Sequence, residues 1–519
     1  MKKNYILVLM TLAAFFCNPL QAQELHVFSN GSLYISPKSN IHVDNNIEVA
    51  NDGDFTISSD AANSGSLIVT GAATGAISYQ RQIPNTNWHF VAAPVTAQDI
   101  QSFVLDAANG IPTSATNNYG ISVYNNEKAE GSRWDYYNTS ASGQDLSITD
   151  AGNFINGAGY SMLRNATGLY TFKGNMAVTD VAVSLRTVNN HKWNLIGNPY
   201  PSFLPANSAA NSTNILSLNI DELEEDFAYL QLWTGAKYEI INLASPSALY
   251  LAPGQAFFVD PKNDNVTFVF PESQQTAQVV ASATLLKRAP TPEITVRLAG
   301  IGLIKTTRLK YLSNTNTGLD IGYDAGTYTD ATPTFAIDTH LVSDSKGVNF
   351  TLQCLPNTGI ETFIIPLAIT VAANKSITFN AIASNFPENI NVFLEDTAAN
   401  TVTNISTTSY QLTTDHNLNG IGRFYLYTAE NVLSTEDVRF SQNLSIYKTS
   451  NTNVRIANMR AKGVAVLKMY SVLGQEVLIR AFKMKPENDI ALPDNLAAGM
   501  YLIQVITNGT KQTKKLFIE

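Results

Sequence analysis

The chain of 519 residues is long enough for three or four domains of ordinary size, and only 14% of its residues are charged. The formal net charge of −9 and a pI near 5.3 argue against a nucleic-acid partner, because phosphate binding needs concentrated lysine and arginine. Asn, Thr and Ser take the place of the charged residues and can solvate a β-rich surface without net charge.

The first 22 residues have the features of a secretory signal peptide. Lys2 and Lys3 precede an apolar run from Tyr5 to Phe16, and the small residue Ala22 stands at the expected cleavage position. The run is shorter than the roughly 20 residues that a membrane-spanning helix needs. We therefore predict a signal peptide over residues 1–22 and a secreted chain.

The two cysteines leave one alternative to this prediction. An acylated Cys17 near the end of the apolar run would tether the chain as a lipoprotein, but bulky Phe15 and Phe16 stand where such an anchor requires small residues. Cleavage after Ala22 discards Cys17, so Cys354 is left without an intramolecular disulfide partner. We predict that Cys354 is a buried structural residue.

A short repeated pattern occupies residues 23–83. The phrases NGSLYI, NNIEVA, DGDFTI, SGSLIV and TGAISY each place a turn residue before alternating apolar and polar residues. This period-two alternation is typical of a strand with one buried face. Repeated short strands separated by turns predict a short β-solenoid-like segment, with stacked hairpins as the alternative.

Residues 84–282 contain an internal duplication. WHFVAAPV from Trp88 matches WNLIGNPY from Trp193, and INGAGYSML from Ile155 matches APGQAFFVD from Ala252. An aromatic strand follows in both halves, so the order of features is the same. We predict two related β modules, residues 84–186 and 187–282. The acidic run that starts at Asp221 is the clearest helical candidate in this region, since carboxylates are favourable in a first turn, and we favour a solvated surface turn over a cation site for it.

Residues 283–430 are predicted to form a β-sandwich. After a proline-containing linker, short alternating segments such as EITVRLAG, VNFTLQCL and SITFNAI follow one another between Asn, Pro, Gly or Asp turns. Residues 430–443 then form a predicted linker. The predicted fold class of the whole chain is all-β.

The last segment, residues 443–519, contains VLKMYSVLGQEVLI and ends in IALPDNLAAGMYLIQVITNGTKQTKKLFIE. It resembles the type A sorting domain of the type IX secretion system, which combines an aromatic residue, a Leu-Gly turn, a Gly-x-Tyr phrase and a terminal Lys-Lys ending. The residues at those positions are Tyr470, Leu473, Gly474, Gly499, Tyr501, Lys514 and Lys515. SIYKTSNTNVRI stands where such domains usually begin with Pro-Asn-Pro.

The residues of this segment also predict an Ig-like β-sandwich by themselves, with Val464, Val466, Ile503 and Val505 alternating into its core. The resemblance implies recognition by the type IX translocon, removal of the domain by the C-terminal signal peptidase, and attachment of the passenger to lipopolysaccharide or its release. The passenger, residues 23–442, resembles large surface proteins that are adhesin-like or of unknown function. That resemblance carries no catalytic residues.

The passenger contains no recognisable catalytic or cofactor motif. Its histidines are scattered without HExxH spacing, and neither a GxSxG elbow nor a phosphate-binding loop is present. We predict no catalytic residue, no cofactor and no metal site. Calcium binding is the alternative for four loop aspartates, although turn chemistry explains them equally well. They are Asp260, Asp264, Asp320 and Asp324.

Aromatic residues give the main indication of a ligand. Trp134, Tyr136 and Tyr137 lie in the polar segment GSRWDYYNTS and could stack on sugar rings, whereas Trp88 and Trp193 are predicted core residues. We therefore predict a non-catalytic, adhesin-like or matrix-binding surface protein whose partner is a glycan or a host or cell-surface ligand. A polysaccharide-binding or polysaccharide-degrading protein is the alternative, because paired carboxylates could cleave glycosidic bonds.

Overall fold

Strands dominate the molecule. The computed structural model describes residues 20–51, 53–139, 146–188, 191–279, 291–329, 331–387, 389–430, 444–450, 452–457, 459, 463–485, 487–493, 496–507 and 510–518. Strands make up 51% of the structure and helix 6%, which confirms the predicted all-β fold class. Along the chain we distinguish the N-terminal rungs, two modules, a near-barrel domain and a C-terminal domain.

Nine short strands build the N-terminal rungs. They are β1 (Leu20–Ala22), β2 (Leu25–Val27), β3 (Ser32–Ile35), β4 (Asn40–Val43), β5 (Ile47–Val49), β6 (Asp54–Ile57), β7 (Ser66–Val69), β8 (Ala73–Thr74) and β9 (Ile77–Ile83). Three parallel ladders, β1-β4-β7, β2-β5-β8 and β3-β6-β9, connect them. Parallel pairing means that successive rungs run in one direction, whereas hairpins would pair antiparallel. Alternate apolar residues such as Val43 and Leu67 fill the shared interior.

The predicted signal peptide reaches into the first rung. Residues 1–19 lie outside the described residues, and Leu20–Ala22 forms β1 against β4. Cleavage after Ala22 would therefore remove β1 and leave β4 as the edge of that ladder. None of the helices in the described part of the chain has the length and apolarity needed to cross a bilayer.

The first module follows the rungs. Its elements are β10 (His89–Ala92), α1 (Ile100–Leu105), a 3₁₀ turn (Ala107–Asn109), β11 (Asn118–Tyr124), β12 (Trp134–Asn138), β13 (Leu146–Ser147), β14 (Gly159–Met162) and β15 (Gly168–Gly174). Asp99 caps α1, because its carboxylate accepts a hydrogen bond from the backbone N–H of Ser102 at 2.7 Å. Buried Phe103 then anchors this short helix against Phe154 and Phe172.

The second module repeats this order of elements. It contains β16 (Val181–Leu185), β17 (Asn194–Gly197), β18 (Leu204–Pro205), α2 (Ile215–Asn219), 3₁₀ turns (Ile220–Glu222, Glu225–Phe227, Glu272–Gln274), β19 (Leu230–Trp233), β20 (Tyr238–Ile241), β21 (Tyr250–Leu251), β22 (Ala256–Val259) and β23 (Val266–Phe270). The sheet orders β10-β14-β11-β12 and β17-β22-β19-β20 correspond strand for strand. Each sheet is accompanied by an antiparallel pair, β9 with β15 and β16 with β23.

The two modules contact each other through equivalent residues. The backbone N–H of Ala92 donates to the carbonyl oxygen of Gly254 at 2.8 Å, and that of Gly197 donates to Gly157 at 2.9 Å. Ala92 and Gly197 occupy the same position in the two repeats, as do Gly157 and Gly254. The contact is therefore reciprocal, as at the interface of a two-fold symmetric dimer. Two isolated β-bridges between the modules show the same reciprocity, one between Val91 and Gln255 and the other between Ala158 and Ile196.

A single eleven-stranded sheet forms the near-barrel domain. Its elements are β24 (Glu293–Gly300), β25 (Leu303–Leu312), β26 (Ala325–Gly326), β27 (Phe335–Thr339), β28 (Phe350–Pro356), a 3₁₀ turn (Ile360–Thr362), β29 (Ile365–Val371), β30 (Ser376–Ser384), β31 (Ile390–Asp396), β32 (Thr401–Asn404), β33 (Tyr410–Thr413) and β34 (Leu418–Glu430). The sheet curls around one apolar core. Hydrogen bonding is continuous through all of its strands, so the two layers of the predicted sandwich are joined into one sheet.

A buried ion pair in this domain allows a stability test. Asp396 at the end of β31 is 1% exposed, and Arg423 donates to its two oxygens at 2.9 and 2.8 Å. We expect Arg423→Met to lower the free energy of unfolding by about 3 kcal/mol, because it leaves a buried carboxylate without its cation. Denaturant titration measures the loss. The double variant Arg423→Met/Asp396→Leu should regain most of it; equal stability of the two variants would contradict the ionic origin.

The C-terminal domain is a sandwich of two antiparallel sheets. Its strands are β35 (Ser445–Ser450), β36 (Asn453–Ala457), β37 (Val464–Ser471), β38 (Glu476–Lys483), β39 (Glu487–Ala491), β40 (Gly499–Thr507) and β41 (Thr510–Ile518). The sheet orders are β35-β36-β39 and β38-β37-β40-β41. Apolar residues of both sheets meet in one core.

Two predicted core assignments in this domain are wrong. Ile503 and Val505 are buried as predicted, but Val464 is 58% exposed and Val466 is only partly buried, because Ala465 and Leu467 face the core instead. The segment VAVL from Val464 is apolar at successive positions, so alternation does not distinguish its two faces. A shift of one residue then exchanges the buried and exposed sets.

Candidate functional site

Two adjoining cavities lie where the modules meet the near-barrel domain. The first, which we call the acidic cleft, has a volume of about 570 Å³ and is lined by residues of both modules and of the near-barrel domain. The second, which we call the aromatic groove, has a volume of about 550 Å³ and lies between β20 and the strands β25 and β28. Thr327 lines both cavities, which are therefore neighbours.

Carboxylates from distant parts of the chain converge on the acidic cleft. They belong to Glu130, Glu224, Asp226, Asp260 and Asp338. Lys192 and Arg133 also line the cleft. Lys192 forms an ion pair with the Glu224 carboxylate at 2.5 Å, and Arg133 donates a hydrogen bond to the ring of His191. The cleft is therefore an acidic environment with few mobile positive charges.

Asp260 is the most unusual of these acids. It directly follows β22, and its carbonyl oxygen accepts a hydrogen bond from the Glu224 N–H at 2.9 Å. The residue is only 4% exposed, and its Oδ1 has no hydrogen-bond partner among the described residues. Burial raises the pKa of Asp260 to about 8, against the opposing effect of Lys192. A buried carboxyl of this kind can hold a proton at neutral pH and offer it to a ligand.

Asp226 and Asp338 are also buried in the cleft. Burial raises the pKa of Asp226, Lys346 opposes this rise, and Glu224 and Glu225 add to it. Burial raises the pKa of Asp338 to about 6, although the Thr327 hydroxyl donates to its Oδ1 at 2.6 Å and lowers it. Three carboxyls with raised pKa values therefore share one cavity.

The acidic run that positions Glu224 and Asp226 is not the start of a helix. Helix α2 precedes it and begins after Asn214, which accepts from the Ser217 N–H and forms a capping box. The run itself forms 3₁₀ turns, Ile220–Glu222 and Glu225–Phe227. The run is also not simply a solvated surface turn, because Asp226 is 8% exposed and lines the cleft.

A row of four aromatic rings lies beside the two cavities. Trp193 and Tyr328 have ring centroids 4.8 Å apart, Tyr328 and Tyr238 are also 4.8 Å apart, and Tyr238 and Trp233 are 4.9 Å apart. Tyr238 is 38% exposed and lines the aromatic groove together with Tyr328. Buried Gln231 lines the same groove, and its Oε1 has no hydrogen-bond partner among the described residues.

The predicted stacking residues lie elsewhere. Tyr137 is 6% exposed and belongs to the core of the first module, so the prediction that it presents a stacking face is wrong. Trp134 is partly buried against Tyr124 and Phe258. Tyr136 contacts Trp88 edge to face. Strand β12 alternates its side chains between two faces, and the polar residues around it in sequence do not indicate which face is covered.

Three of the four aspartates considered for calcium accept hydrogen bonds from neighbouring groups. Asp264 accepts from Thr187 and Arg186, Asp320 accepts from Asn316, and Asp324 accepts from the N–H groups of Asp320 and Cys354. Asp260 lies apart from them in the cleft. Among the described residues no group of three or more His, Cys, Asp or Glu could hold a metal ion.

The residues of the sorting resemblance lie toward one end of the four-stranded sheet, because Tyr470 pairs with Leu502, and Leu502 pairs with Lys515. Leu473 is 92% exposed, and Gly474 has a φ of 80° in the turn between β37 and β38, near the partly buried Tyr470. Gly499 opens β40, where buried Tyr501 donates to the carbonyl oxygen of Ala497 at 2.9 Å. Lys515 is exposed on β41, whereas Lys514 donates to the carbonyl oxygen of Ser345 at 2.9 Å.

These features define the class of protein. Residues 440–519 match the family described as the secretion system C-terminal sorting domain, which confirms the resemblance and supports a substrate of the type IX secretion system. Such a protein is exported and is attached to the cell surface or secreted, and its sorting domain interacts with the type IX machinery.

The passenger has its own family. Residues 15–427, well over half of the chain, match the domain of unknown function DUF8693, and the chain belongs to that family. A comparison with curated proteins finds no match. The two cavities lie within the matched region.

Proposed function

We propose that the protein is a non-catalytic, adhesin-like surface protein that binds a glycan in the aromatic groove. The rings of Tyr238 and Tyr328, which both line the groove, carry this proposal. Aromatic faces give sugar rings a flat apolar contact at low entropic cost. The open groove beside them combines an exposed ring, Tyr238, with polar side chains that can bind hydroxyl groups.

Polar groups of the groove support a carbohydrate in particular. The Gln231 Oε1 is buried and has no hydrogen-bond partner in the part of the chain that the structure describes, which is costly unless a ligand donates to it. Lys237, Glu239 and Arg308 stand around it at the groove surface. Such a mixture of donors and acceptors around aromatic rings suits a polyhydroxylated chain better than an apolar ligand. The adjoining acidic cleft would accommodate further residues of the same chain.

Binding by this groove is testable with a single tyrosine. We expect Tyr238→Ala to weaken binding of a glycan selected on an array by about tenfold, because it removes one stacking face. Isothermal titration of passenger 23–442 measures the effect. Tyr34→Ala is the matched control, since Tyr34 is 58% exposed in the N-terminal rungs far from the groove in sequence. Equal affinities of both variants and the wild type would contradict the proposal.

A polysaccharide-degrading enzyme is the second candidate. The observation that favours it is the presence of three carboxyls with raised pKa values, Asp226, Asp260 and Asp338, in one cleft. A protonated carboxyl beside an ionised one is the pair that glycosidic cleavage requires. Incubation with a polysaccharide panel separates the candidates: retained ligand without new reducing ends supports the binding protein. Product release that Asp260→Asn abolishes would support the enzyme.

A further inference from the structure

The C-terminal domain rests on the passenger through a continuous contact. Tyr447 and Ala457 of the C-terminal domain form one buried cluster with Ala368 and Ile421 of the near-barrel domain. Tyr447 is 4% exposed, and its ring lies 5.3 Å from that of His340. Apolar burial therefore links two units that are separate domains in sequence.

Charged groups surround this apolar centre. Arg455 donates to the carbonyl oxygen of Asn419 at 2.5 Å and is held in place by Asp489, which accepts from its Nε at 2.7 Å. Lys514 donates to the carbonyl oxygen of Ser345 at 2.9 Å, and burial lowers the pKa of its ammonium group. Hydrogen bonds from charged donors to carbonyl groups are among the stronger ones in proteins.

The passenger side is shaped to receive the C-terminal domain. A Cβ atom at Gly347 would lie 2.7 Å from Cδ2 of Tyr447, and one at Gly420 would lie 2.6 Å from Nη1 of Arg455. A Cβ atom at Gly422 would likewise clash with the side chain of Glu487. Side chains at these three positions would push the domains apart, so the fit depends on glycine. Gly347 also lines the acidic cleft, so the contact adjoins the candidate site.

We propose that the passenger carries a docking surface for its own sorting domain and that this surface holds Lys514 in the folded chain. The surface consists of Ala368, Ser345, Gly347 and residues 419–422. Its occupant is the C-terminal domain of the same chain, through Tyr447, Arg455 and Lys514. The passenger thus binds Lys514, whereas Lys515 stays exposed. The translocon can therefore contact both lysines only before the passenger folds or after the two domains separate.

We expect the passenger and the C-terminal domain to stay bound to each other when the chain between them is cut. A site for a sequence-specific protease is placed within residues 431–443 of the chain 23–519, and the cut protein is analysed by size-exclusion chromatography at micromolar concentration. We expect the two fragments to elute together and to have a measurable dissociation constant. Elution as two separate fragments would overturn the docking surface.

Two adjacent lysines provide a matched pair of variants. Lys514→Met is expected to raise the dissociation constant about tenfold, because it removes a charge-assisted hydrogen bond, and Lys515→Met is expected to leave it unchanged. Both residues lie on β41, an edge strand of the C-terminal sheet, so the two variants should fold alike. Equal constants for both would overturn the role of Lys514.

A third variant tests the passenger side. Gly422→Leu should separate the fragments, since its side chain would occupy the place of Glu487. Circular dichroism of the uncut chain checks that β34 is intact. Co-elution of a folded Gly422→Leu variant with unchanged affinity would contradict the proposed fit.

Discussion

Deleting residues 443–519 is expected to abolish surface display and to leave the passenger in the periplasm. The deletion removes nearly the whole sorting domain, residues 440–519, and leaves the predicted signal peptide in place. Transport across the inner membrane then continues, but the outer-membrane machinery has no domain to recognise. Protease accessibility on intact cells of a host with this secretion system, together with fractionation, measures the distribution. The expected effect is a complete loss of surface signal.

The converse experiment controls for misfolding of the truncated passenger. A soluble reporter joined to the signal peptide and to residues 440–519 should reach the surface or the medium. Surface display of the passenger without residues 443–519, or a reporter that stays in the periplasm of a competent host, would contradict the role of the sorting domain. Neither result depends on the ligand of the passenger.

Asp260→Asn is expected to stabilise the protein at high pH. The folded protein holds the pKa of Asp260 at about 8, above the ordinary value of 3.8, so folding favours the protonated carboxyl. The contribution of Asp260 to the free energy of unfolding is therefore fully present below about pH 4, and it is lost progressively as the pH rises through about 8. Asparagine carries no charge at either pH. We expect a gain on the order of 3 kcal/mol at about pH 9 and almost none at about pH 4.

Thermal unfolding at several pH values measures this effect, and a nearby aspartate controls for it. Asp264 accepts from the Thr187 N–H at 2.9 Å, and this hydrogen bond lowers its pKa. Asp264→Asn should therefore give no gain at high pH. A gain from Asp260→Asn that is the same at low and high pH would show that the change acts through packing rather than through the buried charge.

Local patterns in the sequence predicted most of the fold. Alternation predicted the rungs and most strands of the near-barrel domain, since a strand with one buried face needs no distant information to be recognised. The duplicated phrases around Trp88 and Trp193 indicated two modules, and the structure gives both the same strand order. Alternation failed where both faces of a strand are apolar, as in Val464 and Ala465.

The candidate site was not predictable in the same way. Asp226, Asp260 and Asp338 belong to three unrelated segments, and each resembles an ordinary turn or strand residue in its local sequence. Tyr328 follows a short strand in the near-barrel domain and joins Trp193 and Tyr238 only because the second module packs against that domain. The exposure of an aromatic ring depends on such packing, which is why the local sequence did not show that Tyr137 is buried.

The sequence by itself determined the route of export, the all-β class and the duplicated modules, because each of these depends on neighbouring residues or on the order of short motifs. Only the tertiary structure decided which acids share a cleft, which rings form a row, and that Lys514 contacts Ser345. Burial, pKa and shape complementarity are properties of residues brought together from distant parts of the chain, and the packing of the domains creates them.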